Sequence, residues 1–129
     1  MAPVRKLSLS PHSFETISID QLKSLARADL DQLPFGVVGI SVATGNVELY
    51  NATESRMAGL VPEQVLHTDF FNEIGRCMNN KRVAGRFDAE PELDEIVDYV
   101  LTLRMKLTPA RLRLLRRPAS QLKYLLIQR

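Results

Sequence analysis

Apolar residues recur at two different periods along the chain, and the change of period predicts where helices and strands lie. Between residues 13 and 33 they repeat every three or four positions, which predicts two short helices with one buried face. Residues 35–42 form an apolar run and residues 47–50 a second extended piece, and Thr44-Gly45-Asn46 lies between them, which predicts two strands joined by a turn. Residues 1–12 show no period, so we expect them to be loosely held.

The second half of the chain predicts further helices and then three strands. Residues 52–59 suit one or two short helical turns, Pro62 suits the first turn of another helix, and residues 79–89 suit a longer one. Partial alternation over residues 97–107 predicts a strand that ends at Thr108-Pro109. Strands over residues 111–114 and 122–127 follow. This order predicts an antiparallel α+β fold.

Composition limits the class of protein. A chain of 129 residues with 45% apolar residues fits one domain with a single core, and no apolar run approaches the ~20 residues that span a bilayer. The net charge is only +2, from 17 basic and 15 acidic residues, which argues against nucleic-acid binding. A late basic cluster is interpreted as the outward face of a strand, with nucleic-acid binding as the alternative. It consists of Arg111, Arg113, Arg116 and Arg117.

Cys77 is the only cysteine, which fits a reducing cytoplasm because no internal disulfide can form. It is either a buried structural thiol or a nucleophile, and a nucleophile needs a neighbouring base. His12 and His67 are the only histidines, and the His, Cys and carboxylate residues show no metal-ligand spacing. An enzyme and a metal site are therefore the weakest hypotheses.

Tyr50 and Glu54 lie four residues apart across the predicted junction of strand and helix. On their own they suggest a packed ring with a solvated hydroxyl and a capping carboxylate. Together with Cys77 they belong to a larger set of matching positions. That set is Tyr50-Asn51-Ala52-x-Glu54, Gly59, Pro62-x-x-Val65, Phe70-Phe71 and Cys77.

This set resembles the photoactive yellow protein family of blue-light receptors with a PAS fold. The resemblance covers about residues 30–87 and resumes from Asp98-Tyr99 through Leu107-Thr108-Pro109 to the last strand. It implies an α+β PAS fold whose central antiparallel sheet has five strands, or six with a short extra strand. It also implies an N-terminal helical cap over residues 1–30 and a PAS core over residues 31–129.

The resemblance further implies a chromophore, p-coumaric acid (4-hydroxycinnamic acid), held as a thioester on Cys77. Its phenolate would accept hydrogen bonds from Tyr50 and a protonated Glu54. Trans-cis isomerisation, proton transfer from Glu54 and loosening of the cap would produce the signal. The expected pocket consists of Ala58, Leu60, Phe70, Phe71, Leu103 and Leu107.

The implied partners are this chromophore and a downstream signalling protein, with no nucleic acid or membrane, in a monomer or weak homodimer. The competing hypothesis is a PAS module for ligand sensing or protein interaction without a covalent chromophore. Three positions depart from the family pattern, where threonine, arginine and methionine are usual. They are Ala58, Leu60 and Leu107. Ala58 would leave Tyr50 one hydrogen bond short, worth about 1 kcal/mol.

Overall fold

The computed structural model describes residues 12–103 and 105–129, with the backbone alone at residue 103. The predicted cap over residues 1–30 therefore lies partly outside the described residues. The elements run in chain order as α1 (Ile19–Ser24), α2 (Arg27–Gln32), β1 (Gly36–Ser41), β2 (Val47–Tyr50), α3 (Ala52–Ala58), α4 (Pro62–Val65), a π-helical turn (Phe70–Ile74), a 3-10 helix (Arg76–Met78), α5 (Ala84–Ala89), β3 (Leu93–Leu103), β4 (Lys106–Arg116) and β5 (Leu122–Gln128).

The five strands form one antiparallel sheet in the order β2-β1-β5-β4-β3. The last strand in sequence thus lies in the centre, between β1 and β4. Helices α3 to α5 and the turns between them connect β2 to β3. The predicted α+β fold with five strands is confirmed.

Each face of the sheet carries its own apolar core, because alternate residues of a strand point to opposite faces. In β5, Leu125 and Ile127 belong to one core, while Tyr124 and Leu126 belong to the other. The first core lies under α3 to α5, and we call this side the site face. The second lies under residues 13–33, which we call the N-terminal layer.

Three expectations about local structure were wrong. The helix predicted over residues 79–89 is confined to α5, because the Asn80 side chain accepts hydrogen bonds from the backbone N–H groups of Arg82 and Val83 and holds a turn there. Thr108-Pro109 does not end a strand: the chain turns at Met105, which has a positive φ of 63°. Pro109 lies inside β4 opposite Val100, where pairing with β5 has not yet begun, so its missing N–H costs no ladder bond.

The third correction concerns the arginines of β4, which do not simply face solvent. Arg113 is 5% exposed and donates to the backbone carbonyls of Phe14 and Ile17 and to both carboxylate oxygens of Asp94. Arg111 pairs with Glu15 at 2.8 Å and Arg117 with Asp20 at 2.9 Å. Three arginines of this cluster therefore hold the N-terminal layer on the sheet.

Candidate functional site: a buried cavity beside the sheet

The candidate site is organised by Asn51, the residue between β2 and α3. Its side-chain Oδ1 accepts from the backbone N–H of Glu54 at 3.0 Å, which caps α3, and from that of Val37 at 2.9 Å. Its Nδ2 donates to the carbonyls of Leu30 and Phe35. Asn51 thus fixes the end of β2 and the first turn of α3, and with them the positions of Tyr50 and Glu54.

The carboxyl group of Glu54 is buried against the sheet, and its residue is only 4% exposed. A Cβ placed on Gly36 of β1 would lie 2.1 Å from Glu54 Oε1, well inside contact distance. The glycine at this position therefore makes the space that the carboxyl group occupies.

Arg129, just beyond β5, is the partner of this carboxyl group. Its Nη1 donates to Oε1 at 2.7 Å and its Nη2 to Oε2 at 3.0 Å, and both side chains are more than nine-tenths buried. This fork geometry suits a carboxylate and adds charge-assisted hydrogen bonds. Burial nevertheless raises the pKa of Glu54 above its usual value, while the hydrogen bonds and charge of Arg129 oppose the rise.

Tyr50 presents the opposite case, a buried polar group without a partner. Its side chain is 1% exposed, and its hydroxyl makes no hydrogen bond within the described part of the chain. Burial and the nearby charge of Glu54 both raise the pKa of this phenol, so the hydroxyl stays protonated and able to donate. Buried polar groups are normally satisfied, so an orphaned hydroxyl indicates a missing partner.

Tyr50 borders a cavity of about 180 Å³ on the site face. Apart from three ionisable side chains, the wall is apolar. Its lining residues are Tyr50, Glu54, Ala58, Leu60, Phe70, Ile74, Gly75, Met78, Leu101 and Arg129. Drug-sized ligands occupy pockets of roughly 300–1,000 Å³. The smaller space here suits a ligand with a single ring whose polar end meets Tyr50.

Five of the predicted site residues meet at this cavity: Tyr50, Glu54, Ala58, Leu60 and Phe70. Leu60 is brought there because α3 ends at Gly59 in a left-handed conformation, after which Ser55 Oγ donates to the Leu60 carbonyl at 2.7 Å. Ala58 has no hydroxyl that could pair with Tyr50, which agrees with the lack of a partner for the Tyr50 hydroxyl in the described residues.

Three of the other predicted site residues, Phe71, Cys77 and Leu107, are not among those that line the cavity. Phe71 packs edge-on against Phe70, with ring centroids 5.1 Å apart, and faces the core rather than the cavity. Leu107 is 70% exposed near the start of β4, and Leu103 ends β3. Cys77 lies half-buried in the 3-10 helix, beside the cavity-lining Met78.

The backbone at Cys77 is held by a small polar cluster. Tyr99 of β3 donates its hydroxyl to the Cys77 carbonyl at 2.6 Å, and Asn80 Nδ2 donates to both that carbonyl and the Tyr99 oxygen. The guanidinium of Arg82 lies over the Tyr99 ring, 5.0 Å from its centroid. The backbone of the cysteine therefore sits on an anchored turn.

Sequence reasoning missed five of the cavity residues: Ile74, Gly75, Met78, Leu101 and Arg129. For Arg129 a signal was available: continuing the alternation of Leu125 and Ile127 places it on the site face. Ile74 and Met78 lie in a π-helical turn and a 3-10 helix, whose periods the apolar pattern does not predict.

The described residues, 12–103 and 105–129, hold neither a candidate metal site nor a candidate membrane span. They contain no group of three or more His, Cys, Asp or Glu side chains that could hold a metal ion. No helix among them is long and apolar enough to cross a membrane.

Solved structures share this architecture. The photoactive yellow protein domain of the sensor histidine kinase Ppr from Rhodospirillum centenum superposes with a TM-score of 0.77 at 26% identity, covering 85% of this chain and 98% of that domain. The PAS domain of an HTR-like protein from Haloarcula marismortui, at 14% identity and a TM-score of 0.60, shares the fold. With its buried cavity, the chain is a PAS-type, photoreceptor-like domain.

Sequence relatives specify the family, although no protein-family model matches the chain. The photoactive yellow protein of Rhodobacter capsulatus is 30% identical over 119 residues, covering 90% of this chain and 95% of that protein. The one from Halochromatium salexigens is 33% identical over 92 residues, 69% of this chain and 73% of its own length. The chain belongs to the photoactive yellow protein family.

Proposed function

We propose that this chain is a blue-light photoreceptor that carries p-coumaric acid as a thioester on Cys77. The observation that carries this proposal is the buried hydroxyl of Tyr50, which lacks a hydrogen-bond partner in the described residues and borders an apolar cavity beside Glu54. A hydroxylated ring would supply the missing partner. The surrounding apolar wall would exclude water from the ring.

The residues at the end of the cavity suit a ring oxygen that carries negative charge. A buried anion costs several kcal/mol unless it is hydrogen-bonded. Tyr50 keeps its proton because burial raises its pKa, so it can donate. Burial also favours the protonated form of Glu54, which then can donate a second hydrogen bond.

When bound, p-coumaric acid would supply absorption of blue light and a double bond that isomerises from trans to cis. In this proposal Glu54 then releases its proton to the displaced ring oxygen and becomes an anion. Asn51 joins the first turn of α3 to the carbonyl of Leu30 in the N-terminal layer, so a shift of Glu54 reaches that layer directly. Loosening of the cap over residues 1–30 against the core over residues 31–129 would be the output.

Cys77 is half-buried on an anchored turn, one residue from Met78 at the cavity wall. Ala58, Leu60 and Phe70 border the cavity, so we propose them as pocket residues. Phe71 would support the pocket from behind through Phe70. Leu103 and Leu107, at the β3–β4 hairpin, would contact the chromophore only if this hairpin folds over it.

The decisive test is reconstitution with an activated ester of p-coumaric acid. We expect a visible band that bleaches under blue light and recovers in darkness, and that is absent from Cys77→Ala. Met78→Leu is the matched control, because it alters the neighbouring side chain and keeps the thiol. A band of equal intensity in Cys77→Ala would contradict covalent attachment. Tyr50→Phe and Glu54→Gln should each shift the band if both side chains contact the ring oxygen.

A second candidate is a PAS module that senses a ligand or a protein without a covalent chromophore. It is favoured by one observation: Cys77 is not among the residues that line the cavity. Under this alternative, p-coumaric acid derivatives bind reversibly and are removed by dialysis or denaturation. Under the main proposal, the pigment stays with the unfolded chain until the thioester is cleaved.

The proposal also covers the activity, the partner and the oligomeric state of the chain. We propose a receptor without catalytic activity of its own, acting on a downstream signalling protein as a monomer or weak homodimer. The free thiol of Cys77 fits the reducing cytoplasm. Nucleic acid is a poor partner for the late basic cluster, because Arg111, Arg113 and Arg117 already bind the N-terminal layer.

A further inference from the structure

Three ionisable side chains line the otherwise apolar cavity: Tyr50, Glu54 and Arg129. Two of them form a closed pair, in which both oxygens of Glu54 accept hydrogen bonds from Arg129. The third, Tyr50, has a hydroxyl without a partner in the described residues. The cavity therefore combines a buried cation, a buried carboxyl group and an unused donor within one wall.

The charge of this wall depends on what enters it. With Glu54 ionised and Arg129 protonated, the pair is neutral, so a neutral hydroxylated ring can enter without an unbalanced charge. If the ring hydroxyl then gives its proton to a Glu54 oxygen, Glu54 becomes neutral and the ring oxygen becomes an anion. The total charge is unchanged, and Arg129 now faces the ring anion in place of the carboxylate.

Arg129 suits this exchange because of its chemistry and its placement. A guanidinium carries five N–H donors and does not lose its proton, and two of these donors are directed at Glu54. The side chain of Arg129 is only 7% exposed, so water screens its positive charge poorly. The charge therefore acts strongly on an anion in the same cavity.

We propose that Arg129 is a further ligand-binding residue of this cavity, which makes the cavity select the anionic form of a hydroxylated aromatic ring. This inference deepens the proposed function and rests on it for the position of the ring oxygen near Tyr50. Glu54 accepts or returns the proton, Tyr50 donates a hydrogen bond, and Arg129 supplies the positive charge throughout. The ligand class is therefore a phenol that binds as its anion.

The experiment uses a probe that cannot form a thioester at the site. Methyl 4-hydroxycinnamate is bound to the Cys77→Ala chain, and its absorption, which differs between phenol and phenolate, is followed from about pH 5 to about pH 10. The pKa of the bound phenol is compared with Arg129 present and with Arg129→Gln. We expect the substitution to raise this pKa by about one pH unit or more, a tenfold loss of preference for the anion.

Two controls separate a charge effect from damage to the fold. Arg56→Gln removes a positive charge from an exposed position of α3, the helix that carries Glu54, and should leave the pKa of the bound phenol nearly unchanged. Arg129→Lys keeps the charge but loses the fork, so its shift should be smaller than that of Arg129→Gln. Truncation to Ala is avoided because Arg129 also borders two surface grooves, and losing its stem would open the cavity.

If Arg129→Gln does not fold, Arg129→Lys decides the matter through a second measurement. The probe is compared with methyl 4-methoxycinnamate, which cannot ionise, and the preference for the probe at high pH should fall at least threefold in Arg129→Lys. An unchanged preference in Arg129→Lys would overturn the inference. So would a shift in the pKa of the bound phenol that is no larger in Arg129→Gln than in Arg56→Gln. Failure of the probe to bind would also overturn it. Failure of the proposed function shows differently, as a missing light-sensitive band in the chain with Cys77 intact.

Discussion

Two buried polar side chains on opposite faces of the sheet, Arg113 and Tyr50, differ in whether they have hydrogen-bond partners. Under the N-terminal layer, Arg113 is buried with hydrogen bonds to Phe14, Ile17 and Asp94. On the site face, the Tyr50 hydroxyl is buried without any partner in the described residues, beside a cavity. The buried guanidinium of Arg113 has its hydrogen-bond partners. The buried hydroxyl of Tyr50 is a donor that the described residues leave unused.

This difference separates residues that hold the fold from residues that await a ligand. A satisfied buried network stabilises one packing arrangement, whereas an unsatisfied donor costs stability in the unliganded protein. The protein tolerates that cost on the site face because a ligand can remove it. The following variants test the contrast, starting with the largest expected effect.

Arg129→Gln should lower the free energy of unfolding by about 3 kcal/mol, because it leaves the carboxyl group of Glu54 buried without its cation. It should also raise the pKa of Glu54 further above its usual 4.5. The folded protein then holds a proton that the unfolded chain releases above about pH 4.5, so its stability falls as pH rises from there.

Urea unfolding at several pH values measures both effects. The double variant Glu54→Gln with Arg129→Gln is the control and should lose the pH dependence, because no ionisable pair remains. A stability of Arg129→Gln equal to that of the original chain at neutral pH would contradict a buried ion pair.

Arg113→Gln should cost about 2 kcal/mol, since the carbonyls of Phe14 and Ile17 lose a buried donor. Hydrogen exchange should become faster in the N-terminal layer and remain unchanged in α3. Arg111→Gln is the matched control: its guanidinium is 40% exposed and paired with Glu15, so its loss should cost less than about 1 kcal/mol. Equal losses for the two variants would argue against a buried anchor at Arg113.

Tyr50→Phe should stabilise the unliganded protein by about 1 kcal/mol, because it removes a buried hydroxyl without a partner. The same variant should weaken binding of a hydroxylated ring.

Ala58→Thr should also raise the stability, because its hydroxyl gives that of Tyr50 a partner. Leu107→Met, at a 70% exposed position, should leave the stability unchanged. Thermal unfolding measures all three. A destabilised Tyr50→Phe protein would show that the hydroxyl is already satisfied.

Lowering the pH should loosen the N-terminal layer slightly. This is opposite in sign to the effect of Glu54, for which stability falls as the pH rises. The hydrogen bond from Arg111 lowers the pKa of Glu15 below 4.5. The contribution of this ion pair to stability is complete above about pH 4.5. It is lost as the pH falls through the lowered pKa of Glu15. The protection of residues 13–17 against hydrogen exchange, corrected for the intrinsic pH dependence of the exchange reaction, should therefore fall in acid. In Glu15→Gln it should lose this pH dependence, and an equal dependence in both proteins would exclude the ion pair as its cause.

The sequence predicted the fold well where period and turn chemistry agree. The apolar run of β1 and the turn at Gly45 predicted the right elements. The resemblance to the family, rather than the spacing alone, implied that Tyr50 and Glu54 share one pocket. Prediction from the sequence failed where tertiary contacts decide. The Asn80 side chain shortened a predicted helix, and the carbonyls of Phe14 and Ile17, far away in sequence, turned Arg113 from a surface residue into a buried one.

The side-chain amide of Asn51 also limits which residue this position can accept. Two backbone N–H groups point at its oxygen and two carbonyls at its nitrogen, so both a double acceptor and a double donor are required. Aspartate has no donor, serine has only one, and glutamine places its amide a methylene further out. A library containing all twenty amino acids at this position, sorted for folded protein, should return asparagine almost alone.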